Sequence, residues 1–178
     1  ERLGLPLVVK PAKGGSALGV SVVHSAEALP SAMVACFAYG PVALVERCVV
    51  GVEVAVPVLE TTSGVHALPA VEIRPDGGLY DYTARYTAGS TEFVVPADLD
   101  DDLSAECSRV AQTAHHALGL RDLSRSDLIV DGDGTVWFLE VNVAPGMTET
   151  SLVPLSIEAA GLDPGEVLAG LSLRAAKR

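Results

Sequence analysis

Between Ser124 and Asn142, two largely apolar strand-like runs carry Arg125, Asp127, Glu140 and Asn142. The runs are joined by Asp131-Gly132-Asp133-Gly134, in which Asp133-Gly134 is a strong two-residue hairpin signal. That turn sets Asp127 opposite Glu140 and Arg125 opposite Asn142, and strand alternation puts all four on one face. Leu128, Val130, Trp137, Leu139 and Val141 then form the core face. A turn at Gly132-Asp133 changes the partners and keeps the same four together. Two readings follow. One is a solvated polar face closed by an Arg–Asp salt bridge. The other is a Mg²⁺ site, where carboxylate and amide oxygens supply hard ligands and the arginine meets a phosphate or a developing charge. Opposed carboxylates repel unless a cation lies between them, which favours the second. Metals that prefer thiolate or imidazole find no such ligands here.

A second group lies near the start. Lys10 ends an apolar run and precedes Lys13-Gly14-Gly15-Ser16-Ala17-Leu18-Gly19. Glycines let backbone N–H groups approach phosphate oxygens, and Ser16 adds a hydroxyl donor. The lysine precedes the loop, so this is not the Walker arrangement. Alone, the stretch reads more readily as an ordinary flexible β-turn. Together with a Mg²⁺ hairpin it points to an enzyme that uses ATP.

The elements that must position these residues are a mixture of strands and helices. Strands are predicted at Leu5–Lys10, Val20–His24, Val42–Arg47, Val52–Leu59 and Val65–Ile73, the last two joined by a turn at Thr61-Thr62-Ser63-Gly64. Helices are predicted at Ser25–Tyr39, with Ser25 as N-cap, and at Asp101–Leu118. Tyr80–Pro96 reads as a long functional loop, and the C-terminus as helix broken by Gly161 and Pro164. Strict β-α-β alternation is missing, so the class is α+β.

The 178 residues are 49% hydrophobic, enough for a sizeable core and too apolar for a disordered chain. The net charge is −11, with no basic face for nucleic acid. No apolar run is long enough to span a bilayer and no signal peptide opens the chain, which suggests a cytoplasmic protein. Three cysteines, Cys36, Cys48 and Cys107, lack metal-ligand spacing and read as reduced thiols. Adjacent His115 and His116 cannot share a metal on a helix, and His24 and His66 stand alone.

The residues also resemble a known family. Val8-Val9-Lys10-Pro11, Gly15-Ser16-Ala17-Leu18-Gly19-Val20, Val45-Glu46-Arg47, Gly51-Val52-Glu53, Tyr80 to Tyr86, Ser124 to Asp127, Phe138 to Thr148 and Ser151-Leu152-Val153-Pro154 run in the order seen in D-alanine–D-alanine ligases. These are members of the ATP-grasp superfamily. The resemblance covers essentially the whole chain. It implies an ATP-grasp fold of two lobes with nucleotide between them, residues 1–49 belonging to the central lobe and 50–178 to the C-terminal lobe. It implies an ATP-dependent ligase that joins two D-alanines through an acyl phosphate for peptidoglycan synthesis. The cofactors implied are ATP and two Mg²⁺ ions, with Mn²⁺ as a substitute. The partners implied are D-alanine and ATP, with no nucleic acid and no membrane, in a full-length homodimer.

Residue roles carry over with the motifs. Lys10 would hold ATP phosphates, and Ser16 would sit in the loop closing over them, reached by Tyr86. Glu46, Arg47, Cys48 and Val49 would form the linker that reads adenine, and Glu53 would hold the ribose. Asp127, Glu140 and Asn142 would hold the metals, with Glu140 bridging. Arg125 and Gly146 would stabilise the oxyanion, while Ser151 and Leu152 would receive the second D-alanine's carboxylate. Arg85 stands where the family has a lysine on the terminal phosphate, keeping the charge but changing its geometry. Cys48 replaces a bulky residue. The family's N-terminal substrate domain, with the anchor for the first D-alanine, and the adjacent stretch, with another phosphate lysine, are absent from residues 1–178. Alternatives within this reading are a D-alanine–D-lactate or D-serine type of ligase, or a nucleotide-binding module inactive as this fragment.

Overall fold

The structure, a computed structural model, describes residues 3–77, 80, 82–87 and 89–177, and the side chains of Thr83 and Tyr86 lie outside that description. The chain divides into two compact units: Glu1–Val50 with Arg74–Glu92, and Gly51–Ile73 with Phe93–Arg178.

In the first unit, β1 (Leu7–Pro11) lies between β2 (Ser21–Val23) and β3 (Ala43–Arg47), antiparallel to both. Leu7 pairs with Val23 and Arg47, so one face of the sheet carries Leu7, Val9, Val23 and Val45. These pack against Ala32 and Cys36 of α1 (Leu29–Phe37). The helix is shorter than the one read from the sequence. A single 3-10 turn at Ala26–Ala28 precedes it, and Ser25 makes no side-chain capping bond. The stretch read as a loop at 80–96 contains a short helix, α2 (Tyr82–Tyr86), and a strand, β7 (Thr91–Val94). They are too short for hydrophobic periodicity to register. Thr91 Oγ1 donates to Ala84 O at 2.9 Å and ties the two together.

The second unit is organised on β4 (Gly51–Thr61), which pairs along its length with β8 (Leu123–Asp131). Beyond β8 lies β9 (Val136–Asn142). On its other side β4 pairs with β5 (Gly64–Ala67) and β6 (Val71–Pro75). The sheet order is β7-β6-β4-β8-β9. The expected turn at Thr61–Gly64 forms, with those two residues paired. The strand expected over Val65–Ile73 is instead two strands. Pro69 breaks it, and Pro57 of β4 faces the break, where its missing N–H leaves no ladder bond undone. Leu68 N–H donates to Pro57 O at 2.8 Å, and Ser156 Oγ donates to Pro69 O at 2.6 Å.

Alternation on β4 and β8 separates two layers. Val54, Val56, Val58, Leu128 and Val130 pack on one face against Cys107 and Ala111 of α3 (Asp101–Ala117). The helix starts with Asp100 accepting Leu103 N–H at 2.8 Å, a side-chain N-cap. On the opposite face Leu59 packs with Leu68, Val153 and Ile157, the last two from α4 (Leu152–Ala159), and α5 (Pro164–Ala175) adds Val167 and Leu171. The α+β class expected from the sequence holds. Among the described residues no helix is long and apolar enough to cross a membrane.

Two predictions arise from this packing. Gly51 faces β8 so closely that a Cβ there would lie 2.1 Å from Val130 O, a backbone atom that cannot move without opening the ladder. Gly51→Ala should therefore destabilise the chain by about 1–3 kcal/mol, read as a lower urea midpoint; an unchanged midpoint would contradict this register. His115 is fully buried, with Nδ1 2.8 Å from Ser124 Oγ. Burial, and then His116, hold its pKa below the usual imidazole value against the opposing pull of Glu60 and Asp122. The folded state thus resists a proton that the unfolded state accepts, and stability should fall as pH drops through the unfolded value of about 6.5. Urea unfolding at pH 7.5 and 5.5 should show the loss in the native protein and a smaller one in His115→Gln.

Candidate active site

The hairpin of β8 and β9 brings Arg125, Asp127, Glu140 and Asn142 onto one face, opposite the face that packs on α3. Arg125 pairs with Asn142 and Asp127 with Glu140, as the sequence predicts. The connection differs from the expected two-residue turn. Asp131 N–H donates to Thr135 O and Gly134 N–H to Asp131 O, both at 3.0 Å, so Gly132, Asp133 and Gly134 form a three-residue loop. Gly134 has φ +79°, the left-handed residue that such loops require. The ladder shifts between Asp127 and Leu128, with Leu128 opposite Phe138 and Asp127 opposite Glu140. Leu139 is the extra residue of a β-bulge.

The bulge corrects one expectation. Trp137 lies opposite Ile129, not on the Leu128 face, and Phe138 takes the position opposite Leu128. Trp137 Nε1 donates to Asp131 Oδ2 at 2.7 Å. Asp131 Oδ1 also accepts from Asp133 and Thr135 N–H, and these bonds, the tryptophan's first, lower the Asp131 pKa. This carboxylate stabilises the loop.

Arg125 and Asp127 form a buried fork. Nε donates to Oδ1 at 2.7 Å and Nη2 to Oδ2 at 2.8 Å, with 8% and 5% of the residues exposed. The salt bridge of the first sequence reading is therefore present, and it fixes the Asp127 carboxylate plane. Asn142 Nδ2 lies 3.3 Å from Asp127 Oδ2 and 3.4 Å from Glu140 Oε1. The amide's positive end occupies the gap between two carboxylates, where a cation would be attracted. A half-turn of that amide would present Oδ1 instead. Two carboxylates and an amide, all oxygen donors, fit Mg²⁺ in kind. Among the described residues no three His, Cys, Asp or Glu side chains cluster to hold a metal. Glu53 is on the same face of β4, two residues from Ala55, which pairs with Asp127.

Beyond β9, Gly146 approaches Ser151 so closely that a Cβ would lie 2.9 Å from Ser151 Oγ. Ser151 is the N-cap residue of α4 and Leu152 its first residue, buried at 5% exposure. Sequence reasoning passed over Thr148, which bonds Ser151 through Oγ1 at 2.8 Å. A Thr three residues before an N-cap Ser was the available signal.

In the first unit, Lys10 Nζ lies 2.6 Å from Glu46 Oε2. The two side chains share the sheet face away from α1, since Glu46 pairs with Val8. The pair is partly exposed and contributes little to stability. Arg47 ends β3, and Cys48 N–H donates to Pro6 O at 3.1 Å, placing Cys48 and Val49 in the segment that follows. Ser16 and Ala17 both have φ +56°, and Leu18 N–H closes their turn on Gly15 O at 3.2 Å. Two consecutive non-glycine residues in the left-handed region store strain in this loop. Arg85 stacks over the Tyr80 ring, 4.1 Å from its centroid, and its Nε donates to Tyr80 O at 3.2 Å. Tyr80 was likewise missed as a partner of Arg85. The expected reach of Tyr86 to Ser16 lies outside the described residues. Cys107 is fully buried, and burial pushes its thiol up to about 11, which makes it inert.

The chain is similar to known proteins along most of its length. The family described as D-ala D-ala ligase C-terminus matches residues 1–171. A D-alanine–D-alanine ligase from Glaesserella parasuis is 44% identical over 160 residues, covering 90% of this chain and 51% of its own. One from Nitratidesulfovibrio vulgaris is 46% identical over 170 residues, covering 95% and 55%. The chain thus spans about half the length of the curated relatives it matches. Among solved structures, the Bacillus anthracis D-alanine–D-alanine ligase complexed with ATP superposes with TM-score 0.80 at 30% identity, covering 99% of this chain and 55% of that one. The VanG D-Ala:D-Ser ligase from Enterococcus faecalis gives 0.84 at 31% identity, covering 95% and 49%. The resemblance drawn from the motifs holds, and with it the ATP-grasp fold: the chain belongs to the D-alanine–D-alanine ligase C-terminal family.

Proposed function

We propose that this chain is the ATP-using part of a ligase that joins two D-alanines to give D-alanyl-D-alanine for peptidoglycan synthesis. In this reading residues 1–49 belong to the family's central lobe and 50–178 to its C-terminal lobe. The full-length protein works in the cytoplasm as a homodimer. The observation that carries the proposal is the hairpin: Asp127 opposed to Glu140, the Asn142 amide between them, and the Arg125 guanidinium fixed alongside.

A carboxylate acylates poorly. In the proposed reaction an oxygen of the first D-alanine's carboxylate attacks the terminal phosphorus of ATP, and ADP leaves. The amine of the second then attacks the acyl phosphate carbon, loses a proton, and phosphate leaves. The protein's work is positioning and charge neutralisation. Lys10 exchanges Glu46 for ATP phosphate oxygens, and Arg85 contacts the terminal phosphate with the family lysine's charge. The segment Glu46, Arg47, Cys48, Val49 meets the adenine, and Glu53 the ribose hydroxyls. Asp127, Glu140 and Asn142 hold two Mg²⁺ ions, or Mn²⁺; once bound, these neutralise phosphate charge and orient the phosphates. Arg125, oriented by its two bonds to Asp127, and Gly146 face the developing oxyanion. Ser151 and Leu152 receive the second carboxylate. Ser16 and Tyr86 close the site against water.

A second reading keeps the chemistry and changes the acceptor to D-serine or a D-hydroxy acid. It is favoured by the likeness to the D-Ala:D-Ser ligase structure. Calorimetry of ATP binding to this chain, with and without Mg²⁺, tests the nucleotide site. Affinity should rise at least tenfold with Mg²⁺ in the native chain, and the rise should vanish in Glu140→Gln. The same ATP affinity with and without Mg²⁺ would overturn the assignment.

A further inference from the structure

The loop from Val143 to Ser151 leads from β9 into α4. Ser151 holds the N-cap position with extended backbone (φ −84°, ψ 152°), yet its side chain makes no capping bond. An N-cap serine ordinarily accepts from the second or third helical N–H. Here the third helical residue is Pro154, which has none, and the Ser151 hydroxyl turns back to Thr148. It accepts Thr148 N–H at 3.1 Å and lies 2.8 Å from Thr148 Oγ1. A Cβ at residue 146 would lie 2.9 Å from the same oxygen, so the glycine there leaves the hydroxyl its place.

We propose that Thr148 is a positioning residue that directs the Ser151 hydroxyl proton toward the carboxylate of the second amino acid. A hydroxyl has one proton to donate and two lone pairs to accept with, whereas a carboxylate only accepts. Ser151 therefore binds a carboxylate by donating. On this proposal Thr148 Oγ1–H is the donor of the 2.8 Å hydroxyl pair, so Thr148 fills both Ser151 lone pairs, the other being filled by its backbone N–H. The single remaining hydrogen-bonding direction of Ser151 is its own proton, aimed away from Thr148. A threonine hydroxyl at this spacing sets the polarity of the serine, and Pro154 removes one of the two first-turn amides that could otherwise donate to it. This rests on the assignment of Ser151 to the second carboxylate.

The test is steady-state kinetics of the full-length ligase carrying Thr148→Val, Thr148→Ser, Ser151→Ala, and Thr148→Val with Ser151→Ala. Valine keeps the shape and the backbone N–H and removes only the hydroxyl. Thr148→Val should raise KM for the second D-alanine roughly 3- to 30-fold, the effect of one hydrogen bond, with kcat and KM for ATP within about twofold. Thr148→Ser should restore the native KM, and Thr148→Val should add nothing once Ser151 is alanine. If Ser151→Ala raises that KM and Thr148→Val does not, the proposal is wrong. If Ser151→Ala leaves it unchanged, the Ser151 assignment fails, and the proposal with it. An equal loss in every kinetic parameter with a lower melting temperature would show Thr148 to be structural and overturn the proposal.

Discussion

Glu140→Gln is expected to abolish the proposed ligation in the full-length protein while leaving the chain folded. Glu140 is exposed on the polar face of β9, and its hydrogen bond is a long one, to Asn142 Nδ2 at 3.4 Å. Glutamine keeps that bond and the strand geometry, so stability should change by no more than about 0.5 kcal/mol. The charge, in contrast, is half of the pair formed with Asp127. Removing it from a residue that would hold the divalent ions should cost roughly 100-fold or more in rate, beyond the ten- to hundredfold cost of losing an outer-shell partner. The check is the rate of ADP release against Mg²⁺ concentration, beside a melting curve. Native rates at limiting Mg²⁺ would rule out Glu140 as a ligand.

Asp127→Asn should do something different, because Asp127 holds the fold as well as the site. Both of its oxygens accept from the Arg125 guanidinium, and both residues are buried. Asparagine offers one oxygen and turns an NH2 group toward a donor, leaving the guanidinium charge uncompensated inside the protein. Breaking such a buried pair costs about 3–5 kcal/mol. Urea unfolding should show that loss together with loss of activity. Replacing both partners, as Arg125→Met with Asp127→Leu, should recover much of the stability and none of the activity, since buried pairs exchanged for apolar groups are often neutral. Wild-type stability in Asp127→Asn would contradict the buried fork.

The contrast between these two carboxylates shows what the sequence could and could not reveal. Placing Arg125, Asp127, Glu140 and Asn142 on one face needed only alternation and a turn, and both were legible. The details were wrong by compensating amounts. The loop has one residue more than expected, which shifts the register near the turn, and the bulge at Leu139 restores it before Glu140. Leu139 is as apolar as its neighbours, so nothing in its type marks it as the extra residue. Trp137 was misplaced for the same reason, its face being set by the bulge and its indole N–H going to Asp131. Pro69 did carry a signal against one strand over 65–73, since proline leaves a ladder bond unmade. The short elements within 80–96 carried none, because tertiary bonds such as Thr91 to Ala84 hold them. The Arg–Asp pairing was legible, but its burial was not, the sequence reading having placed it on a solvated face. That burial depends on β4 covering β8 on one side while β9 forms the end of the sheet order.

The most direct measurement is ADP release from Mg-ATP by the full-length protein, with D-alanine as the sole amino acid and then with D-serine or D-lactate added. The account predicts D-alanine-dependent ADP release, one phosphate per ADP, and D-alanyl-D-alanine as product, all lost in Glu140→Gln. ADP release that does not depend on D-alanine, or none in its presence, would contradict it.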